Sequence, residues 1–164
     1  MVGSEPIWQR SRKMQRIAGV FFCSLLIVTG ASASEDYVTR TALFQVTDND
    51  SHAIPLNNNG ATTHTFFAQG GQRFIISYNA ECMAQGPIGS KFTISIIVDG
   101  ERTRPDSGTA FCSPSAPDSQ TSMAVERRVV AKVAFAGNHT VQVMGTGVGT
   151  TLWQVGDSIL ILGE

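Results

Sequence analysis

The sequence predicts an all-β protein. The expected form is an antiparallel two-sheet β-sandwich, jelly-roll-like, with one disulfide, preceded in the precursor by an N-terminal signal helix. Three observations carry this. Apolar residues recur with period two in segment after segment while period 3.6 is nearly absent, the pattern of half-buried strands. Turn signals, Asp99-Gly100 foremost, separate the segments. Two cysteines, Cys82 and Cys112, remain once an export signal is removed, and an even pair in an oxidising compartment is expected to bond.

The elements follow in chain order. Residues 1–33 form a signal peptide: Arg10, Arg12, Lys13 and Arg16 are the positive region, Ile17 to Val28 is uncharged and mostly apolar, and Ala31-Ser32-Ala33 offers the cleavage site. The apolar run is shorter than the roughly 20 residues a spanning helix needs, so cleavage is favoured over an anchor. Cys23 raises a lipoprotein anchor, but Phe22 stands where a small residue is wanted.

Residues 34–164 are then a single β-sandwich domain, of a length that suits one core. Val38 to Val46 reads as a strand with Ala42, Phe44 and Val46 on one face. Asp48 to Gly60 is a turn-rich connection. Thr62 to Ala68 is a threonine-rich strand carrying Phe66 and Phe67. Arg73 to Asn79 aligns Phe74, Ile76 and Tyr78, and the parity runs on to Cys82, pointing the cysteine at the core as a staple between sheets would. Phe92 to Val98 puts Phe92, Ile94, Ile96 and Val98 on one face, and Asp99-Gly100 supplies the tight hairpin turn. Pro105 to Ser122 is the longest connection, pinned at Cys112. Arg128 to Phe135 places Val129, Ala131, Val133 and Phe135 inside, and Val141 and Val143 repeat the pattern. Gly145, Gly147 and Gly149 read as a flexible loop between strands. They precede a strand, not the helix N-terminus that a phosphate loop requires. Thr151 to Leu162 breaks at Gly156-Asp157 and resumes as Ile159–Leu162, apolar on both parities, as in a central strand covered on both faces. A true immunoglobulin domain would set a Trp between its cysteines, whereas Trp153 follows both.

Charge narrows the partners. Without the signal the chain keeps eight Lys and Arg against twelve Asp and Glu, a net charge of roughly −4. That mild acidity argues against nucleic acid, which demands a basic patch. No second apolar span follows, so no stable membrane span is expected in the mature chain. The location expected is secreted or periplasmic.

Several stretches resemble secreted bacterial β-sandwich proteins of the C1q/TNF-like jelly-roll type: "SYNAEC" (Ser77–Cys82), "IIVDG" (Ile96–Gly100), "AFC" (Ala110–Cys112), "AGNHTVQV" (Ala136–Val143) and "WQVGDSILIL" (Trp153–Leu162). The resemblance spans Phe74 to the end. It implies a jelly roll with a binding or assembly role and transfers no catalytic residue.

Candidate chemistry is sparse. His139 follows the turn pair Gly137-Asn138 and is expected to enter a strand with one ring nitrogen on a loop carbonyl. No nucleophile motif or HExxH accompanies it, so no catalytic residue is assigned. Three scattered histidines make a weak case for zinc. Asp48 and Asp50 alternate oxygen side chains as a Ca²⁺ loop does, but no glycine or closing Glu completes the pattern. Glu81, Asp99 and Glu101 are expected to face water, not each other across a groove as glycosidase carboxylates must. Asn138-His139-Thr140 and Asn49-Asp50-Ser51 match the glycosylation acceptor, and Asn138 also suits a turn. Trp153, Tyr78 and His139 are the candidate contacts for a carbohydrate or other ligand, against the plainer alternative of a core tryptophan. The function expected is a non-catalytic module acting by surface recognition or assembly, with an extracellular protein or glycan as partner and no cofactor. A small, Ca²⁺-assisted carbohydrate-binding module is the alternative. Ile97 and Val130 have outward parity, as a homo-oligomer contact would require.

Overall fold

The computed structural model describes residues 35–104, 109–117 and 119–163. The predicted signal helix and its cleavage site after Ala33 lie outside them. Ser32–Glu164 forms one compact unit. Its described residues contain no helix, and ten antiparallel strands divide between two five-stranded sheets. In the first sheet β1 (Asp36–Arg40) and β2 (Phe44–Val46) both pair β10 (Leu152–Gly163). Beyond β10 come β5 (Arg73–Gln85) and the edge strand β8 (Met123–Lys132). In the second, β3 (Ser51–Ala53) and β4 (Thr63–Ala68) both pair β9 (Gly137–Val148). Beyond β9 come β6 (Lys91–Val98) and the short edge strand β7 (Glu101–Arg102). The chain passes from sheet to sheet between β2 and β3, β4 and β5, β5 and β6, β7 and β8, β8 and β9, and β9 and β10. That is the expected jelly-roll-like sandwich.

Alternation drives it. β6 buries Phe92, Ile94, Ile96 and Val98 and leaves Lys91, Thr93, Ser95 and Ile97 half-exposed. The facing layer comes from Ile76, Tyr78, Val129, Ala131, Leu160 and Leu162, so each sheet hides its apolar face in the other. The turn Asp99-Gly100 has φ of 51° and 82°, the left-handed pair that a two-residue hairpin demands. Cys82 on β5 is bonded to Cys112, with their Cα atoms 6.4 Å apart. Cys112 in turn accepts a 2.8 Å hydrogen bond from the Phe92 amide of β6. The staple therefore links the two sheets.

Five expectations need correction. Val38–Val46 is two strands, because Gly156-Asp157 is a bulge: β10 shifts register between Val155 and Ser158. Thr41–Leu43 swings out opposite it, Ala42 is exposed, and Arg40 takes the inward position. The Asp48–Gly60 connection contains β3. Gly145 and Gly147 are not a loop but buried positions inside β9. Phe92 and Trp153 stack there at 4.4 Å, and a Cβ on Gly145 would lie 2.7 Å from the Phe92 ring. Glycine is what lets the strand pass this aromatic pair. Ile159 and Ile161 are only half-buried, since the second sheet covers one face alone. Phe135 is 69% exposed: β8 ends at Lys132, and strand parity does not survive past a strand's end.

Candidate functional site

Trp153 and Tyr78 are 0% exposed and His139 is 1% exposed. None of the three turns a face outward to a ligand. Trp153 is held edge-on by Phe44 at 5.7 Å, and its Nε1–H donates to the Asp48 carbonyl at 3.2 Å. The indole is core, with its one polar atom satisfied.

Asp48 and Asp50 sit in the loop above it. Asp48 Oδ1 accepts the Asp50 amide at 2.9 Å and His52 Nε2–H at 2.7 Å. Those two bonds hold the Asp48 carboxyl below the usual carboxylate range, the His52 bond first. The neighbouring Asn49 Oδ1 accepts from the Thr150 amide and hydroxyl, both at 3.1 Å. The segment spends these oxygens fastening one turn to another. Among the described residues no three His, Cys, Asp or Glu side chains gather as a metal set would.

Arg40 is the largest charged side chain in the core. Its guanidinium donates to the carbonyls of Val155 at 2.9 Å and Gly156 at 3.1 Å, and also to that of Ala42. Those are the carbonyls that the bulge and the β1–β2 break release. Burial pulls the Arg40 pKa down, with Tyr78 and Asp157 opposing. Burial likewise pushes Tyr78 up. Arg40 Nε and the Tyr78 hydroxyl are buried without a hydrogen bond. Arg40 thus closes a structural defect.

His139 is the more informative group. It points inward from β9 and lies between two turns. Its Nδ1–H donates to Asp99 Oδ2 at 2.6 Å, and its Nε2–H donates to the Phe135 carbonyl at 3.1 Å. A carboxylate and a carbonyl only accept, so both ring nitrogens carry protons and the ring is an imidazolium. Asp99 raises the His139 pKa, burial opposes, and the Phe135 carbonyl adds to the rise. For Asp99, burial pushes the carboxyl up, but bonds from His139 and from the Thr140 amide at 2.9 Å outweigh it and leave the pKa lowered. Phe66 and Phe135 flank the cation at 5.8 and 5.5 Å, within cation–π range. The expected carbonyl bond is present. The Asp99 partner, forty residues away in sequence, was not foreseen.

These two turns end a groove of about 510 Å³ lined by Val98–Asp99, Glu101–Arg104 and Val130–Phe135. It opens where the edge strands of the two sheets, β7 and β8, meet. Arg104 and Val130 form a single antiparallel bridge. Among the described residues no further pairing joins β7 to β8, and the groove runs from this bridge toward the Asp99 turn and Phe135. Arg102, Arg104, Lys132 and Phe135 are all exposed along it. No protein-family model matches this chain, and no curated protein matches its sequence.

Proposed function

We propose that this chain is an exported, non-catalytic β-sandwich module that works by surface recognition or assembly, with the groove between β7 and β8 as its recognising surface. One observation carries the reading: the groove is open and lined by exposed charged and aromatic side chains, while the histidine at its end has both nitrogens committed. A histidine already donating twice has no lone pair with which to act as a base, so this ring offers the groove no general base. Export is supported by the signal-like N-terminus and by the Cys82–Cys112 bond, a bond suited to an oxidising compartment. No helix among the described residues is long and apolar enough to cross a membrane. A jelly-roll-like sandwich is the fold that a resemblance to C1q/TNF-like proteins implies. Assembly with a second copy would use the outer face of the first sheet, where Tyr37, Ile75 and Val130 are exposed.

The test is a peptide and glycan array probed with the exported chain and with a Phe135→Ser/Arg104→Ala variant of unchanged melting temperature. Binding lost in the variant is expected. Binding that survives it moves recognition elsewhere, and a concentration-dependent mass in sedimentation would favour the assembly form.

A further inference from the structure

We infer that two copies of this chain meet through the outer face of the first sheet, about a two-fold axis that crosses the strands. The inference rests on the assembly form of the role proposed above and names its partner and geometry.

Pairing register lays out the face. On its outer side β5 and β8 set Arg73 beside Lys132, Ile75 beside Val130, Ser77 beside Arg128 and Asn79 beside Glu126. The Ser77 row runs on across the sheet to Ile161 and Tyr37, and the Asn79 row to Ile159 and Thr39. The alternate residues of these strands are spent on the core. The side chains of Tyr37, Ile75 and Val130 are exposed, and Ile159 and Ile161 are half-buried. An apolar band therefore crosses a sheet face that carries charge at both ends. Arg73 and Lys132 are exposed at one end, Glu81 and Asp157 at the other.

That pattern is complementary to itself. A two-fold axis along the strands would set Arg73 and Lys132 against their own copies, and like charges repel. An axis across the strands reverses the second sheet and lays its acidic end over the basic end of the first. Placed between the Ser77 and Asn79 rows, it sets Arg128 over Glu126 of the second copy, Glu126 over Arg128 of the second copy, and Ile161 over Ile159. Each contact then occurs twice, as a two-fold interface requires. Within one copy Arg128 Nη2 lies 3.2 Å from Glu126 Oε1, and Arg128 Nε–H donates to Ser77 Oγ at 3.2 Å. Guanidinium and carboxylate keep bonding capacity beyond these contacts, and their side chains are 64% and 44% exposed. Four strands about 4.8 Å apart, over ten residues at about 3.3 Å each, give the face roughly 600 Å². Two copies would bury about 1,200 Å² in all, the lower bound for a specific pair. The dimer is therefore reversible and concentration-dependent.

The experiment is sedimentation velocity on the exported chain from about 10 μM to about 1 mM, the range that an interface of this size calls for. A monomer–dimer equilibrium is expected. Arg128→Glu makes the centre of the face wholly acidic and Glu126→Arg makes it wholly basic, so each variant alone should self-associate about tenfold more weakly or worse. An equimolar mixture of the two should form heterodimers, and Glu126→Arg/Arg128→Glu should pair as wild type does. A variant that had merely lost its fold could not be rescued by mixing. A chain that stays monomeric throughout, a trimer, or a mixture that stays monomeric overturns the inference. If the chain stays monomeric yet still binds on the array through its groove, the dimer falls while the recognition role stands. If it neither pairs nor binds, both fall.

Discussion

Asp99→Asn isolates the charge of the buried imidazolium pair. Asp99 has φ of 51°, and Asn tolerates left-handed backbone as well as Asp does, so the hairpin turn survives. The side-chain oxygen can still accept from the Thr140 amide. The new amide N–H then faces His139 Nδ1, which must accept instead of donate. The ring becomes neutral, with its single proton on Nε2 and bonded to the Phe135 carbonyl. What is lost is one charge-assisted hydrogen bond of 2.6 Å, typically about 1.5–3 kcal/mol. The Asp99 side chain is 41% exposed, and solvent screening reduces this to about 1–2 kcal/mol. For a domain of this size the melting temperature should fall by about 3–8 °C. The pH dependence is the sharper signature. His139 has a raised pKa in the fold, so its contribution is whole below its unfolded value of about 6.5. That contribution is lost as pH rises through the folded value. Asp99 has a lowered pKa, so its contribution is whole above about 3.9 and is lost as pH falls through the folded value. The gap between wild type and variant should thus be widest between about pH 4 and 6.5 and narrow on the alkaline side. Thermal melts across that range measure it, and long-range ¹H–¹⁵N spectra report the protons on each ring nitrogen. A gap of constant size up to pH 9, or a neutral His139 in the wild type at pH 6, would refute the reasoning.

The remaining predictions concern the scaffold. Cys82→Ala/Cys112→Ala opens a loop with a sequence separation of 30, and denaturant titration should show a loss of about 3–4 kcal/mol; a loss under about 1 kcal/mol would mean that the staple constrains little. Gly145→Ala should cost about 1–3 kcal/mol by overpacking and change the near-ultraviolet dichroism of Trp153, whose ring lies 2.9 Å from the added Cβ; an unchanged spectrum and melt would contradict the packing role given to this glycine. Arg40→Met leaves the carbonyls of Val155 and Gly156 without their donor, and urea unfolding should register a loss of about 2–3 kcal/mol. A variant as stable as wild type would show that the bulge does not need its cation.

Local rules made much of the fold legible. Alternation in Phe92–Val98 and Arg73–Cys82 gave strands and their inner faces, because a sandwich buries one side of each strand. Asp99-Gly100 gave its turn because few pairs accept two left-handed residues. Cys82 gave the staple because its parity matched that of Tyr78. Features set by pairing register were not legible. The bulge at Gly156-Asp157 decides that Arg40, not Ala42, faces inward, and nothing within residues 38–46 reports it. Gly145 and Gly147 look like a loop until Phe92 and Trp153 are known to occupy the space their side chains would need. The His139–Asp99 contact requires β6 and β9 to be neighbours in a particular register. An inward-parity histidine together with an acidic hairpin turn was the available hint. The groove belongs to neither strand alone, because it lies between two edges joined by a single bridge.

Array binding of the exported chain, compared with that of its groove variant, tests the central claim most directly. Binding lost in the Phe135→Ser/Arg104→Ala variant at an unchanged melting temperature is the predicted result. Binding that survives in that variant would contradict the groove as the recognising surface.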